Sequence, residues 1–446
     1  MVANVVRGTY GPDHGTLVGL PLWSKTDRRR GRRARARGAA APCHRPRRTR
    51  IHARRDLVHG SADAMSETPR VVIVGAGHTG AQAAIALRAE GFEGHVVLTG
   101  DEEAPPYNRP PLSKSFLKST SDAVSVAVRP EGFWAEQDIT LQLGRRSVAI
   151  DRTARKIALD DGSELDFDRL VLAMGSRPRT IPTAPGIATL RTTKDALRVR
   201  SVLRPGARVI LVGAGYIGLE VAAAACEAGA EVTVVEAAPD ILRRTLSGAT
   251  ARYLQTAHER AGARFLLGSA PRTIRPTGVE MGSGENVEGD VVVLGIGVQP
   301  NVELAENAGL AVLDGVVVDE HLRTSDPNIF AIGDCARFPC AVTGRPVRLE
   351  SVQNGTDQAR HVARTLAGEA TAPYRSVPYF WTEQHGHKVM IAGVSAPDDD
   401  VQVRGNLEDD SFSVFRHDAE GRLTAVESVN APHDHVAARR TLGGRT

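Results

Sequence analysis

The sequence predicts an α/β chain with two parallel, doubly wound sheets and a small α+β appendage, and three observations predict it. A β-branched apolar run, a glycine-rich turn and an Ala-rich helical stretch follow one another twice, starting at Val71 and at Arg208. Both turns have the spacing G-x-G-x-x-G. From Pro373 onward the pattern changes to short alternating runs separated by Gly, Asp and Asn, which marks antiparallel strands joined by turns.

In the first unit, Val71 to Val74 (VVIV) is wholly apolar, as a strand covered on both faces should be. It leads into Gly75-Ala76-Gly77-His78-Thr79-Gly80, the helix AQAAIALRAEG and the strand His95 to Thr99. The second unit repeats the order with Arg208 to Val212 (RVILV), Gly213-Ala214-Gly215-Tyr216-Ile217-Gly218, the helix LEVAAAACEAG and the strand Glu231 to Val235. In such a turn the first Gly permits the tight strand-to-helix bend and the second lets backbone approach a pyrophosphate. The third allows close helix–strand packing, while the helix N-terminus stabilises phosphate charge. One G-x-G-x-x-G is weak evidence, but two in strand–turn–helix context are strong. They predict two Rossmann-like dinucleotide-binding domains.

The acid closing the second strand of each unit accepts hydrogen bonds from ribose hydroxyls. In the second unit this is Glu236, and in the first Asp101, with Glu102 as an alternative. A carboxylate at Glu236 repels a 2′-phosphate, so NAD(H) is expected. Arg243 and Arg244 follow closely and are suited either to a 2′-phosphate, to pyrophosphate or to solvent.

Leu170 to Ala173 ends in Met174-Gly175-Ser176, and Val291 to Leu294 ends in Gly295-Ile296-Gly297. Both are read as exits from one domain to another. A further strand, Asn328 to Ile332, ends at Gly333-Asp334 and precedes a helical stretch from about Gln353 to Leu366. In the appendage the expected strands are Lys388 to Ile391, Val401 to Arg404, Phe412 to Arg416 and Leu423 to Ser428.

Length and charge narrow the functional classes. At 446 residues the chain is long enough for two or three domains and a large buried ligand. No run approaches the 18 or so apolar residues of a membrane span. Residues 1–64 hold 14 Arg and one Lys against four Asp, a net +11. Residues 65–446 hold 41 basic and 48 acidic side chains, a net −7. The first segment is expected to be a disordered basic tail or an over-extended start ahead of Met65, with neither a transit-peptide nor a secretory pattern. No specific nucleic-acid binding is expected, because attraction to polyanions follows from the tail's charge alone.

Cys43, Cys226, Cys335 and Cys340 make no Cys-x-x-Cys pair and no metal-ligand spacing. A redox disulfide and a protein-held iron–sulfur cluster are therefore not expected, nor is any metal. Cys226 is expected to pack in the core, and a cytoplasmic setting fits these thiols.

The run Pro106-Tyr107-Asn108-Arg109-Pro110-Pro111-Leu112-Ser113-Lys114, the segment ILVGAGYIGLE and the segment SDPNIFAIGDCA together resemble the FAD-dependent ferredoxin reductases. The likeness is to the putidaredoxin- and rubredoxin-reductase group, related to apoptosis-inducing factor and sharing the glutathione-reductase-like fold. It covers residues 70 to about 440, including PYFWTEQ, VRGNLEDDSFSVF and SVNAP near the C-terminus. The resemblance implies an FAD-binding domain over 65–182 and 302–370, an NAD-binding domain over 183–301 and a C-terminal α+β domain over 371–446.

By the same resemblance, flavin contacts fall on Thr79, Asp101, Lys114, Val148, Arg191, Asp334 and Val352. The expected cofactor-binding set also holds Gly75, Gly77, Gly80 and Arg109 for FAD, with Trp381 beside the flavin or in the small-domain core. For NAD it holds Gly213, Gly215, Ile217, Gly218, Glu236, Arg244 and Gly297. Lys114, paired with Glu220, is expected to stabilise negative charge on the reduced ring. The implied reaction passes hydride from NADH to FAD and then single electrons to a small [2Fe-2S] ferredoxin serving a P450 or Rieske oxygenase.

Alternatives are another NADH-dependent flavoprotein reductase, of the rubredoxin, nitrite-reductase-associated or monodehydroascorbate type, or a redox-controlled binding protein like apoptosis-inducing factor. The chain is expected to act as a monomer or weak homodimer. Members of the family often continue beyond the point matching Thr446, so this end is expected to be less well packed.

Overall fold

Short runs of Val, Ile and Leu bury completely when both faces of a parallel sheet are covered; in the second unit the helix Tyr216–Glu227 covers one face and the antiparallel strands Gly278–Met281 and Asn286–Glu288 the other. The computed structural model describes residues 68–119, 123–181 and 186–444. Its first sheet has the strand order Ile329–Ala331, Arg169–Leu172, Arg70–Val74, His95–Gly100, Ile139–Leu143, every neighbour parallel. Its centre is dry, with Val72, Ile73, Leu98, Leu170 and Leu172 inaccessible. The second sheet has the order Arg264–Leu267, Glu231–Glu236, Arg208–Val212, Val291–Leu294, also parallel.

Because Ile329–Ala331 joins the first sheet, the chain leaves that sheet, builds the second and returns. Both crossings are at the expected exits. The segments Ser176–Pro178 and Val298–Pro300 pair antiparallel, with Ser176 opposite Pro300. The two connections are thereby tied to each other.

The helix His78–Ala89 packs along the helix Val352–Leu366. Small residues make the approach close: a Cβ on Gly355 would lie 2.3 Å from the Thr79 hydroxyl oxygen. This contact brings the start of the 352–366 helix against the first glycine turn.

Arg191 is positioned by a capping box on the helix Thr193–Arg200. The Thr192 hydroxyl accepts from the Asp195 amide, and the Asp195 carboxylate accepts from the amides of both Thr192 and Arg191. Replacing Thr192 with Ala should cost about 1 kcal/mol, seen as a lower thermal midpoint without loss of the cooperative transition.

The C-terminal segment forms an antiparallel sheet in the order Tyr379–Gln384, His387–Gly393, Leu423–Val429, Ser411–His417, Asp400–Asn406. Four of these strands match the alternating runs. The fifth, Tyr379–Gln384, was not among the expected strands; it pairs back through a turn at His385 and Gly386, both at positive φ. The helix Pro432–Gly443 covers the sheet, and Ala438 and Leu442 bury against Ala392 and Val426. The helix Pro432–Gly443 is well packed because these two residues sit one helical turn apart on a single apolar face.

Cys335 and Cys340 are buried, Cys226 is partly buried, and all three are free thiols. Burial pushes the Cys226 and Cys335 thiols up to about 11. Among the described residues no helix is long and apolar enough to cross a membrane. No cluster of three or more metal-ligating side chains occurs there either. Cys43 and the basic segment 1–64 lie outside the described residues.

Candidate functional site

A strand can turn into a helix over an adjacent backbone only where Cβ atoms are missing, and the two glycine turns show this need in the same way. Gly75 has φ +109°, and a Cβ there would lie 2.3 Å from the Ala173 carbonyl oxygen; one on Gly80 would lie 2.0 Å from that of Gly75. In the second turn Gly213 has φ +100°, with a Cβ 2.5 Å from the Gly295 oxygen, and one on Gly218 would lie 2.5 Å from that of Gly213. A Cβ on Gly77 meets nothing within 4 Å. The helix that Gly77 caps has no side-chain cap at its N-terminus, so its terminal amides are open to a phosphate.

A deep cleft runs from the first turn to the second helix. Gly75, Gly77, Thr79 and Asp101 line one end. Arg109, Lys114, Arg191, Asp334 and Val352 also line it. Ile217, Glu220, Phe380 and Trp381 belong to the far wall. The Phe380 ring lies 4.5 Å from that of Tyr216, tilted by 49°, and Trp381 stacks at 5.7 Å on Tyr379. Gly80 is buried beneath the turn, consistent with its packing task.

Val148 departs from its expected place as a flavin contact. Its side chain is 47% exposed and outside the cleft lining. A register shift between Ser147 and Ala149 on the strand Ser147–Asp151 breaks the alternation there, and a bulge of this kind turns a side chain outward.

Asp101 and Glu102 have different neighbours. Glu102 accepts from the Tyr107 hydroxyl at 2.6 Å and from Arg109 at 2.7 Å. Arg109 also donates to the Arg191 carbonyl at 2.7 Å and stands 5.0 Å over the Tyr107 ring. Burial raises the Tyr107 phenol, with the bonded Glu102 adding to it. Glu102 is thus held within the wall, while Asp101 is exposed.

Asp334 accepts from the Ser176 hydroxyl at 2.8 Å and lies 3.7 Å from the Arg191 guanidinium. Lys114 lies 2.7 Å from Glu220, whose side chain is 2% exposed. This pair joins the Pro-rich loop to the second glycine-turn helix. At the second turn, the Glu236 oxygens accept from the Ala214 and Ala238 amides, each at 2.8 Å. Arg244 approaches Gly297, its guanidinium 3.6 Å from where a Cβ would stand.

Several cleft residues were not anticipated. His78 bridges Asn108 at 3.2 Å and Thr356 at 3.0 Å, and burial lowers it below the ordinary histidine range. Ser176 and Tyr216 also line the cleft. The signal for His78 and Tyr216 was their place as variable positions within the glycine turns; Ser176 stands immediately after an exit glycine.

Comparison with known proteins agrees with this geometry. The family model "Pyridine nucleotide-disulphide oxidoreductase" matches residues 69–359, and "Reductase C-terminal" matches 379–446. Rhodocoxin reductase of Rhodococcus erythropolis is 46% identical over 381 residues, 83% of this chain and 89% of that protein. The crystal structure of the ferredoxin reductase for the CYP199A2 system from Rhodopseudomonas palustris superposes with TM-score 0.80 at 43% identity, covering 83% of this chain and 94% of that one. The covalent putidaredoxin reductase–putidaredoxin complex gives TM-score 0.82 at 38% identity, covering 84% and 93%. With paired glycine turns, a shared cleft and these matches over most of its length, the chain belongs to the pyridine nucleotide-disulphide oxidoreductase family, in the ferredoxin reductase group.

Proposed function

We propose that this chain is an FAD-dependent NADH:ferredoxin reductase whose electrons go singly to a [2Fe-2S] ferredoxin serving a P450 or Rieske oxygenase. The observation that carries the reading is the cleft joining the first glycine turn to the second glycine-turn helix, with Lys114 and Glu220 at the junction and none of Cys226, Cys335 or Cys340 in its lining. The residues fit FAD: open space at Gly77, an uncapped helix N-terminus, a carboxylate at Asp334 and an aromatic wall. Bound FAD supplies the chemistry, accepting hydride from NADH and releasing electrons one at a time.

The protein's part is binding, orientation and charge. Gly75, Gly77 and Gly80 shape the phosphate turn, Asp101 faces the ribose, and Arg191 and Arg109 make one wall cationic. Lys114 presents positive charge to the cleft, held by Glu220. Segments 65–182 with 302–370 take the flavin part, 183–301 the NAD part and 371–446 the C-terminal part. A monomer or weak homodimer in the cytoplasm belongs to the same reading.

The test is direct. NADH should bleach the flavin absorbance of the purified protein in stopped flow, and cytochrome c reduction should depend on added [2Fe-2S] ferredoxin. A protein that takes up no FAD, or cytochrome c reduction indifferent to ferredoxin, would overturn the proposal. Glu236→Ala should raise KM for NADH about tenfold, the worth of one charge-assisted hydrogen bond. It should narrow the preference over NADPH and leave kcat nearly unchanged; steady-state kinetics with both nucleotides measure this.

A further inference from the structure

Glu220 is held from three parts of the chain. One carboxylate oxygen accepts from the Ser113 hydroxyl at 2.5 Å and faces Lys114 Nζ at 2.7 Å. The other accepts from the Thr382 hydroxyl at 2.6 Å. Behind Thr382 the bonds continue: Gln384 Nε2 donates to the Thr382 oxygen at 3.0 Å. The His258 Nε2 is 2.8 Å from Gln384 Oε1, and His385 Nε2 is 3.0 Å from His258 Nδ1. Thr382 and His258 are inaccessible to solvent, and Gln384 nearly so.

The direction of every link follows from its end. A carboxylate paired with Lys only accepts, so the Thr382 hydroxyl must donate to it and has only lone pairs left for Gln384. Gln384 therefore turns its NH2 toward Thr382 and its carbonyl toward His258, which must carry its proton on Nε2. Burial lowers His258 to about 4, so at neutral pH Nδ1 is bare and accepts from His385. The helix Gly248–Arg260, which bears His258, thus anchors an amide and a hydroxyl in the C-terminal sheet, and these aim the carboxylate at Lys114.

We propose that Thr382 and Gln384 are positioning residues for hydride acceptance, acting through Glu220 on Lys114 by this one-way hydrogen-bond chain. The inference deepens the reductase reading and rests on it. Neither residue lines the cleft, so neither is available to touch cofactor or substrate. A chain of donors all pointing one way is also fixed in orientation, since reversing any link sets two donors or two acceptors against each other.

The experiment uses the FAD-loaded full chain and four variants. Thr382→Val keeps shape and removes the hydroxyl; its flavin reduction by NADH in single turnover should slow about tenfold, with the half-saturating NADH concentration unchanged. The flavin midpoint potential, measured by spectroelectrochemistry, should shift negative by the roughly 30 mV that a tenfold change in a two-electron equilibrium represents. Thr382→Ser should restore both. Gln384→Met should give a smaller loss, and the double variant Thr382→Val/Gln384→Met should be no slower than Thr382→Val alone, because Gln384 acts only through Thr382. Additive losses, a wild-type rate and potential in Thr382→Val, or no rescue by Ser would each overturn the inference. Should Thr382→Val not fold, rate and potential of Gln384→Met against wild type decide it. Failure of NADH to reduce the wild-type flavin would instead sink the reductase reading, so the two failures are distinct.

Discussion

Lys114→Met is expected to slow reduction of the bound flavin by NADH about a hundredfold, the loss typical when one preorganised charge is removed from a water-poor site. Lys114 lines the cleft, and its ammonium is fixed at 2.7 Å by the Glu220 carboxylate on the second glycine-turn helix. A charge fixed before reaction spares the reorganisation that solvent would need as negative charge arrives. Met keeps the length of the side chain and discards only the charge.

The substitution also leaves a buried carboxylate with hydroxyl donors alone, Ser113 and Thr382, and a loss of about 2 kcal/mol in stability should accompany it. Lys114→Met/Glu220→Gln separates the two effects: it should regain stability and stay slow. Stopped-flow absorbance at saturating NADH gives the rate, and denaturant unfolding the stability. An unaltered single-turnover rate in Lys114→Met would remove Lys114 from the mechanism.

How much of this was legible in the sequence depended on how local each cause is. The glycine turns were readable because the need is steric and confined to a few residues: Gly75 and Gly80, or Gly213 and Gly218, leave no room for a Cβ. Strands such as Val71 to Val74 were readable because burial on both faces demands an unbroken apolar run. The strand Tyr379–Gln384 was hidden since it carries Thr382, Glu383 and Gln384 at one end, polar residues that usually lie on the surface. Two of those three are buried for their hydrogen bonds, to a carboxylate 162 positions away and an imidazole 126 positions away.

Nothing in a window of sequence reports such partners. Val148 shows the opposite failure: an apolar residue in a strand faces solvent because the neighbouring register shifts, a feature of the pairing rather than of the residue. Asp101 and Glu102 could not be separated by spacing; the Arg109 and Tyr107 side chains that occupy Glu102 separate them in space.

Glu427→Ala is expected to give the largest loss of stability, about 3–5 kcal/mol, as is usual when one partner of a buried ion pair is removed. Glu427 and Arg416 lie at 3.1 Å on neighbouring strands of the C-terminal sheet, with side chains 1% and 6% exposed. The same carboxylate accepts from the Ser247 amide at 2.8 Å and hydroxyl at 2.7 Å, and Ser247 is the N-cap of the helix Gly248–Arg260. Alanine would strand a buried guanidinium, whose other bond is to the Ala396 carbonyl, and leave a helix N-terminal amide unpaired. Removing both charges as Glu427→Leu/Arg416→Met should recover most of the loss, because two apolar groups need no partner. Since that helix also bears His258, Glu427→Ala should slow flavin reduction through loss of anchorage, whereas the double variant should not if the helix stays seated. Unfolding midpoints set beside single-turnover rates for the two variants test the link: a fully stable Glu427→Ala would show that the other contacts of the helix, among them the His258–Gln384 bond, hold it to the sheet without this carboxylate.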